Sequence, residues 1–360
     1  VDGRHRSAPQ SMTDKISRLF ILLLALAVSA CSQPKDPVYH DQFFAFGTLI
    51  DITLYGVEPG IAETISSQIE SDFNALHTEW HAWQPGPILS LNEKLAQHRP
   101  ATVKPAIIHL LAEANRLSLA SEGLFNPVIG NLIELWGFHD NALPVGTLPD
   151  STAIENLVAE NPAVDDITIE ADRVITRNAG VAYDLGGFAK GLAIDRAIER
   201  LRESGIEHAI INAGGDLRAI GQRGERPWRI GIRHPREPGI LASIEITGDD
   251  SVFTSGDYER FFEVDGKRYH HIIDPRSGYP ASETTSVTVI HSDAATADAA
   301  ATALFVAGPD HWQKAAKNMG IRFVMLIDSQ GIIHMNPAMQ SRIQLDPKLD
   351  ATVILGDPLQ

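Results

Sequence analysis

Residues 184–191 read Asp184-Leu185-Gly186-Gly187-Phe188-Ala189-Lys190-Gly191, and the fold turns on how this string is taken. Apolar Val181-Ala182-Tyr183 precedes it, and Leu192, Ile194, Ala197, Ile198 and Leu201 follow at helical spacing. The string therefore reads as a turn that opens a helix. Glycines there let backbone N–H groups approach a phosphate, the helix N-terminus favours negative charge, and Lys190 adds a point charge. A tight turn beside a solvated lysine fits the same letters equally well. A Walker A loop does not fit, because the spacing differs and no Ser or Thr follows the lysine.

Working outward, strands and helices alternate without a steady βαβ rhythm. Strands are expected over 43–54, 166–176, 208–211, 228–234, 241–247, 251–254, 261–264, 268–273, 286–291 and 321–327. Helices are expected over 58–80, 105–121, 190–204, 294–306 and 310–318. This mixture argues for an α+β class rather than a doubly wound sheet. We place one large domain over 43–345 and a C-terminal tail over 346–360. The 44% apolar content is enough for a real core.

Three further strings carry chemistry. Asn212-Ala213-Gly214-Gly215-Asp216 follows an apolar run and reads either as a hairpin turn or as a ligand turn with an acid beside it. Thr254-Ser255-Gly256-Asp257-Tyr258 leads to His270-His271-Ile272-Ile273-Asp274-Pro275-Arg276-Ser277-Gly278. Neighbouring histidines on a strand face opposite ways, so one can face the core and the other a site, where a neutral His suits a general base; a structural role is the plainer alternative for either ring. In Thr296–Leu304, Asp298 and Thr302 lie one helical turn apart on a shared face, a carboxylate and a hydroxyl that suit a hard cation such as Mg²⁺. Helix-dipole and backbone roles for the same two side chains are the plainer alternative.

The N-terminus reads as a targeting segment. Lys15 and Arg18 flank the ten-residue apolar run Leu19–Val28, and Ser29-Ala30-Cys31 follows. That is the pattern of a secretory signal, and the run is too short to span a bilayer. Val28-Ser29-Ala30-Cys31 also resembles a bacterial lipobox, which makes Cys31, the only cysteine, a lipid attachment point. Met12 is the natural start, so 1–30 comprise upstream residues plus signal peptide, and 31–42 a lipidated tether. The formal charge is −16, with Arg4, Arg6, Lys15 and Arg18 against Asp2 and Asp14 before Cys31. So acidic a chain argues against nucleic-acid binding.

Taken together and in this order, these strings, with Gly123-Leu124-Phe125-Asn126-Pro127 and Leu135-Trp136-Gly137-Phe138, resemble the ApbE family of FAD:protein FMN transferases. The resemblance runs from about 43 to about 330. It implies a T-fold-related α+β architecture, FAD as substrate and Mg²⁺ as cofactor. It implies that Asp184 and Lys190 contact FAD, that Leu124, Phe125 and Asn126 line its pocket with Phe46 and Trp83 as further walls, and that Ile272 touches FAD through its backbone. Gly187 and Ala301 would offer carbonyls to the metal, with Asp298 and Thr302 giving side-chain oxygens, and His271 would be the general base. This chain has Asn126 where many members carry Asp. The implied acceptors are flavin-bearing subunits of membrane redox complexes, modified on the periplasmic side of a bacterial membrane. Two rivals share the same residues: a Mg²⁺-dependent FAD pyrophosphatase, with water as nucleophile, and a lipoprotein that binds FAD without turnover.

Overall fold

The computed structural model describes residues 37–139 and 146–359; the expected signal, Cys31 and the start of the tether lie outside them. In chain order the first strands are β1 Val38–Ala45, β2 Thr48–Tyr55, β3 Ala101–Thr102, β4 Ile167–Glu170, β5 Arg173–Thr176, β6 Ala209–Ala213, β7 Asp216–Gly221 and β8 Trp228–Arg233. There follow β9 Ile240–Ile246, β10 Gly248–Gly256, β11 Phe261–Val264, β12 Lys267–His270, β13 Thr284–His291, β14 Phe323–Asp328, β15 Ile333–Met335, β16 Ile343–Leu345 and β17 Val353–Leu355. The helices are α1 Pro59–Trp80, α2 Pro87–Leu95, α3 Pro105–Ala120, α4 Gly130–Leu135, α5 Ser151–Ala159, α6 Ala189–Glu203, α7 Ala294–Ala307, α8 Trp312–Asn318 and α9 Pro337–Gln340.

The main sheet runs β1-β2-β6-β7-β10-β13-β14-β15-β17. Its pairings are antiparallel except the last, β15 with β17. Both faces are covered, and the period-2 alternation shows it. On β14, Val324 and Leu326 join the large core with α1, α3, α6 and α7, while Met325 and Ile327 join a second core with β8, β9 and β16. A strand buried on both faces reads as an apolar run, which is how β14 reads, whereas β13 buries Thr284, Thr285, Ser286 and Thr288 beside its apolar residues. The architecture is the expected α+β mixture in one unit from Val38 onward.

Several boundaries differ from the sequence reading, each for a local reason. The single strand expected over 43–54 is the hairpin β1–β2. Phe46 (φ 49°) and Gly47 (φ 74°) both adopt the left-handed conformation of a two-residue hairpin turn, which the continuous apolar run conceals. The strand over 166–176 is likewise a hairpin, turning at Ala171 with φ 54°. The tether ends at Pro37 rather than 42, since β1 pairs from Val38. Residues 353–355 of the expected tail pair with β15, and Leu359 is buried in the main core. The strand expected over 268–273 stops at His270, where Ile272 N–H bonds back to His270 Nδ1 instead of continuing a ladder.

Candidate active site

Helix α7 is the centre of the site, and its burial explains its sequence. It packs on β10, β13, α6 and α8, and every residue of it but Thr302 is buried. Its N-terminus is doubly held. Asp293 accepts from Thr296 N–H at 2.7 Å, and the two oxygens of Asp195, from α6, accept from Ala294 and Ala295 N–H at 2.9 Å each. Asp195 in turn pairs with Arg218 on β7. The run of alanines lets α6 lie almost against α7. A Cβ on Gly191 would sit 2.8 Å from Ala295 Cα. Gly191 thus serves helix contact, a different task from the phosphate approach expected of that glycine-rich string. Its N–H donates to Asp298 Oδ2 at 2.9 Å.

That contact brings the expected metal residues together. Asp298 is 5% exposed, and burial raises its carboxyl pKa while Lys190 opposes the rise. Thr302 lies one turn on. A Cβ on Gly187 would be 3.1 Å from Thr302 Oγ1, so this glycine backs directly onto the hydroxyl. Ser255 Oγ is 3.5 Å from Thr302 Oγ1 on the other side. A buried carboxylate, a hydroxyl and nearby carbonyls are hard oxygen donors, which fits Mg²⁺. Among the described residues no group of three or more His, Cys, Asp or Glu could hold a metal.

Lys190 is the second residue of α6, a helix with no side-chain N-cap. Its ammonium pairs with Asp216 at the start of β7, and Asp216 also accepts from Thr254 N–H at 2.9 Å. Burial disfavours the charge on Lys190, but Asp216 and Asp298 outweigh it and hold its pKa above the ordinary value. Asp216 is a partner that the sequence could not assign, because its glycine turn read equally well as a plain hairpin. The strings 184–191, 212–216, 254–258 and 297–302 therefore converge at one place.

The histidine pair divides into one buried and one partly exposed ring, although the strand ends at His270 and strand alternation is not the cause. His270 is buried, with Nε2 donating to Ala281 O at 2.7 Å. His271 is partly exposed. Its Nδ1 is 3.2 Å from Arg260 O, which can only accept, so Nδ1 carries the proton and Nε2 keeps its lone pair. Desolvation, followed by His270, pushes the His271 pKa down to about 3. The Trp136-Gly137-Phe138 string supports this loop. Trp136 Nε1 donates to Gly278 O at 2.7 Å, its ring stacks on Tyr269, and Phe138 meets the His271 ring edge-on at 6.3 Å.

An aromatic wall completes the site. Phe46 packs edge-on against His77 at 5.3 Å, His77 against His81 at 5.1 Å, and His81 against Trp83 at 4.4 Å. Trp83 stacks on His139, whose Nε2 is 3.0 Å from Asp184 Oδ2. Phe125 is buried and reaches toward Gly187, while Leu124 is partly buried. Asn126 is engaged at both ends: Nδ2 donates to Pro162 O at 2.9 Å and Oδ1 accepts from Val128 N–H at 3.1 Å. The Ile272 backbone is also occupied, donating to His270 Nδ1 and accepting from Ala281 N–H. His77, His81, His139 and Arg260 were not singled out in the sequence; lone histidines and a hairpin arginine carry no motif.

The profile of the ApbE family matches residues 46–325. An FAD:protein FMN transferase of Rhodobacter capsulatus is 38% identical over 323 residues, 90% of this chain and 61% of that protein. One from Klebsiella pneumoniae is 34% identical, covering 75% of this chain and 83% of its own. Among solved structures, the ApbE protein of Thermotoga maritima superposes with a TM-score of 0.75 at 35% identity, covering 85% of this chain and 99% of that one. The flavin transferase ApbE of Vibrio cholerae gives 0.74 at 27%, with coverage of 85% and 99%. The chain belongs to the ApbE family.

Proposed function

We propose that the chain is an FAD:protein FMN transferase: it moves the FMN half of FAD onto a Thr or Ser hydroxyl of an acceptor protein and releases AMP. The observation that carries this reading is the meeting of three groups. They are Lys190 in the first turn of a helix with no side-chain cap, the oxygen pair Asp298–Thr302 beside it, and His271, which feels the Lys190 charge and holds its proton on Nδ1.

Each residue then has a task. Lys190 leaves Asp216 to pair with the pyrophosphate of FAD, aided by the start of α6. Asp298 and Thr302, with the Gly187 and Ala301 carbonyls, would hold Mg²⁺, which when bound neutralises phosphate charge and eases departure of the leaving group. His271 Nε2 accepts the proton of the acceptor hydroxyl. The hydroxyl oxygen bonds to the FMN phosphorus, the bridging P–O bond breaks, and its electron pair leaves with AMP. A pyrophosphate dianion beside Lys190 raises the basicity of His271 above that of the free site, toward the range a general base needs. Phe46, Trp83, Leu124 and Phe125 give the planar rings apolar walls.

We further assign Cys31 as the lipidated residue, with the domain held on the periplasmic side of a bacterial membrane. There the acceptors are flavin-bearing subunits of membrane redox complexes. A short tether to Val38 suits substrates that are themselves membrane-bound.

The test is intact-mass spectrometry of a soluble acceptor domain incubated with the chain, FAD and Mg²⁺. Gain of one FMN by the acceptor, with AMP released, is expected. AMP and free FMN with an unmodified acceptor would instead mean that water is the nucleophile, provided that a second flavin transferase modifies the same acceptor. No AMP would leave only FAD binding.

A further inference from the structure

We propose that His139 is a positioning residue of the nucleotide pocket, fixing the Trp83 indole and the Asp184 carboxylate as one rigid wall against which a planar ring of the substrate packs. The inference rests on the FAD reading of the site and goes beyond it by naming what gives the pocket its shape.

Trp83 lies in an irregular stretch between α1 and α2, so no ladder or helix fixes its direction. Two imidazoles do so instead. His81 meets it edge-on at 79°, with its Nδ1 accepting from Trp83 N–H at 3.4 Å and Gln84 N–H at 3.2 Å. His139 lies flat on it, with centroids 4.5 Å apart and planes 18° apart. The edge of the same His139 ring reaches Asp184, Nε2 to Oδ2 at 3.0 Å, with side chains only 16% and 11% exposed. Asp184 Oδ1 accepts from Gly186 N–H at 2.8 Å, so the carboxylate is held on both oxygens. His139 is itself on firm ground, directly after Phe138, which is 1% exposed and whose carbonyl accepts from Arg260 at 3.1 Å. One ring thus joins the segment after α1, the segment after α4 and the turn that opens α6.

The two contacts use different parts of the imidazole, and substitutions separate them. Phe keeps the flat stack and loses the bond to Asp184. Gln keeps the bond and loses the stack. The measurement is quenching of FAD fluorescence on titration with the full chain, paired with steady-state kinetics in varied FAD. H139A is expected to weaken FAD binding about tenfold, with H139F and H139Q each recovering about threefold, the sizes of an aromatic stack and a shielded charged hydrogen bond. KM for FAD should rise more than kcat falls. A side chain that served only folding would lower the melting temperature and kcat together, and neither variant would rescue Kd selectively. FAD binding by H139A at wild-type strength overturns the proposal. Tighter binding overturns it too, and would mean that the ring covers the indole face that FAD needs. Failure of the wild-type chain to bind FAD at all overturns the site reading along with it.

Discussion

His270 uses both ring nitrogens: Nε2 donates to Ala281 O and Nδ1 accepts from Ile272 N–H. Only the neutral ring can do both, because a proton on Nδ1 would face the Ile272 proton. Burial also lowers its pKa from the ordinary 6.5. The sign follows. The unfolded chain takes up this proton near pH 6.5 and the folded chain only at lower pH, so the stabilisation is complete above 6.5 and is lost as pH falls through the depressed folded value. We predict that the denaturant midpoint of the wild type drops between about pH 7.5 and pH 5, and that H270Q, less stable at neutral pH, drops less. Parallel slopes would refute the assignment. The neighbouring His271 makes the opposite kind of prediction. H271A removes no core contact comparable to these, so FAD binding should persist while transfer slows by about 10²–10⁴-fold. Transfer at near wild-type rate would place the base elsewhere.

At the scale of elements, the contact of α6 with α7 decides whether the site exists. Gly191→Ala sets two effects against each other. Alanine favours a helix by about 1 kcal/mol over glycine. The new methyl would meet the Ala295 backbone at 2.8 Å, in a helix whose every neighbour is packed, and overpacking of that kind costs about 1–3 kcal/mol or more because backbone cannot rotate away. The clash wins. We expect net destabilisation of about 2 kcal/mol by denaturant titration, together with weaker Mg²⁺ binding by calorimetry, since Gly191 N–H orients Asp298. A more stable G191A would show that the helices have room to part. The string opens a helix as its spacing predicts, but its last glycine serves helix packing. In sequence a glycine that approaches a phosphate and one that approaches another helix are the same letter.

Across the whole molecule, what was legible follows the range of the forces involved. Helices with a strong apolar stripe, such as 58–80, 105–121 and 190–204, appear where periodicity puts them, because local spacing encodes them. Asp298 and Thr302 share a face for the same reason. Partners distant in sequence leave no local trace: Asp216 for Lys190, Asp195 for the start of α7, and His139 for both Trp83 and Asp184. The tail is the clearest case. Polar residues and prolines make 346–360 look dispensable, yet β17 closes the edge of the main sheet through register Ile333↔Val353 and Met335↔Leu355. Asp346 N–H bonds to Leu241 O, Gly356 N–H to Met335 O and Asp357 N–H to Gln313 Oε1, and Leu359 is 5% exposed in the same core as α7. Removing residues 346–360 gives up the burial of Leu359, worth about 1.5–3 kcal/mol, and bares the edge of β15. We predict that a chain ending at Leu345 loses several kcal/mol of stability and self-associates on warming, read by denaturant titration and light scattering. A truncated chain as stable and monodisperse as the full one would restore the tail reading. Loss of stability would instead show that the domain needs a strand supplied after its last motif, long after the chemistry has been spelled out.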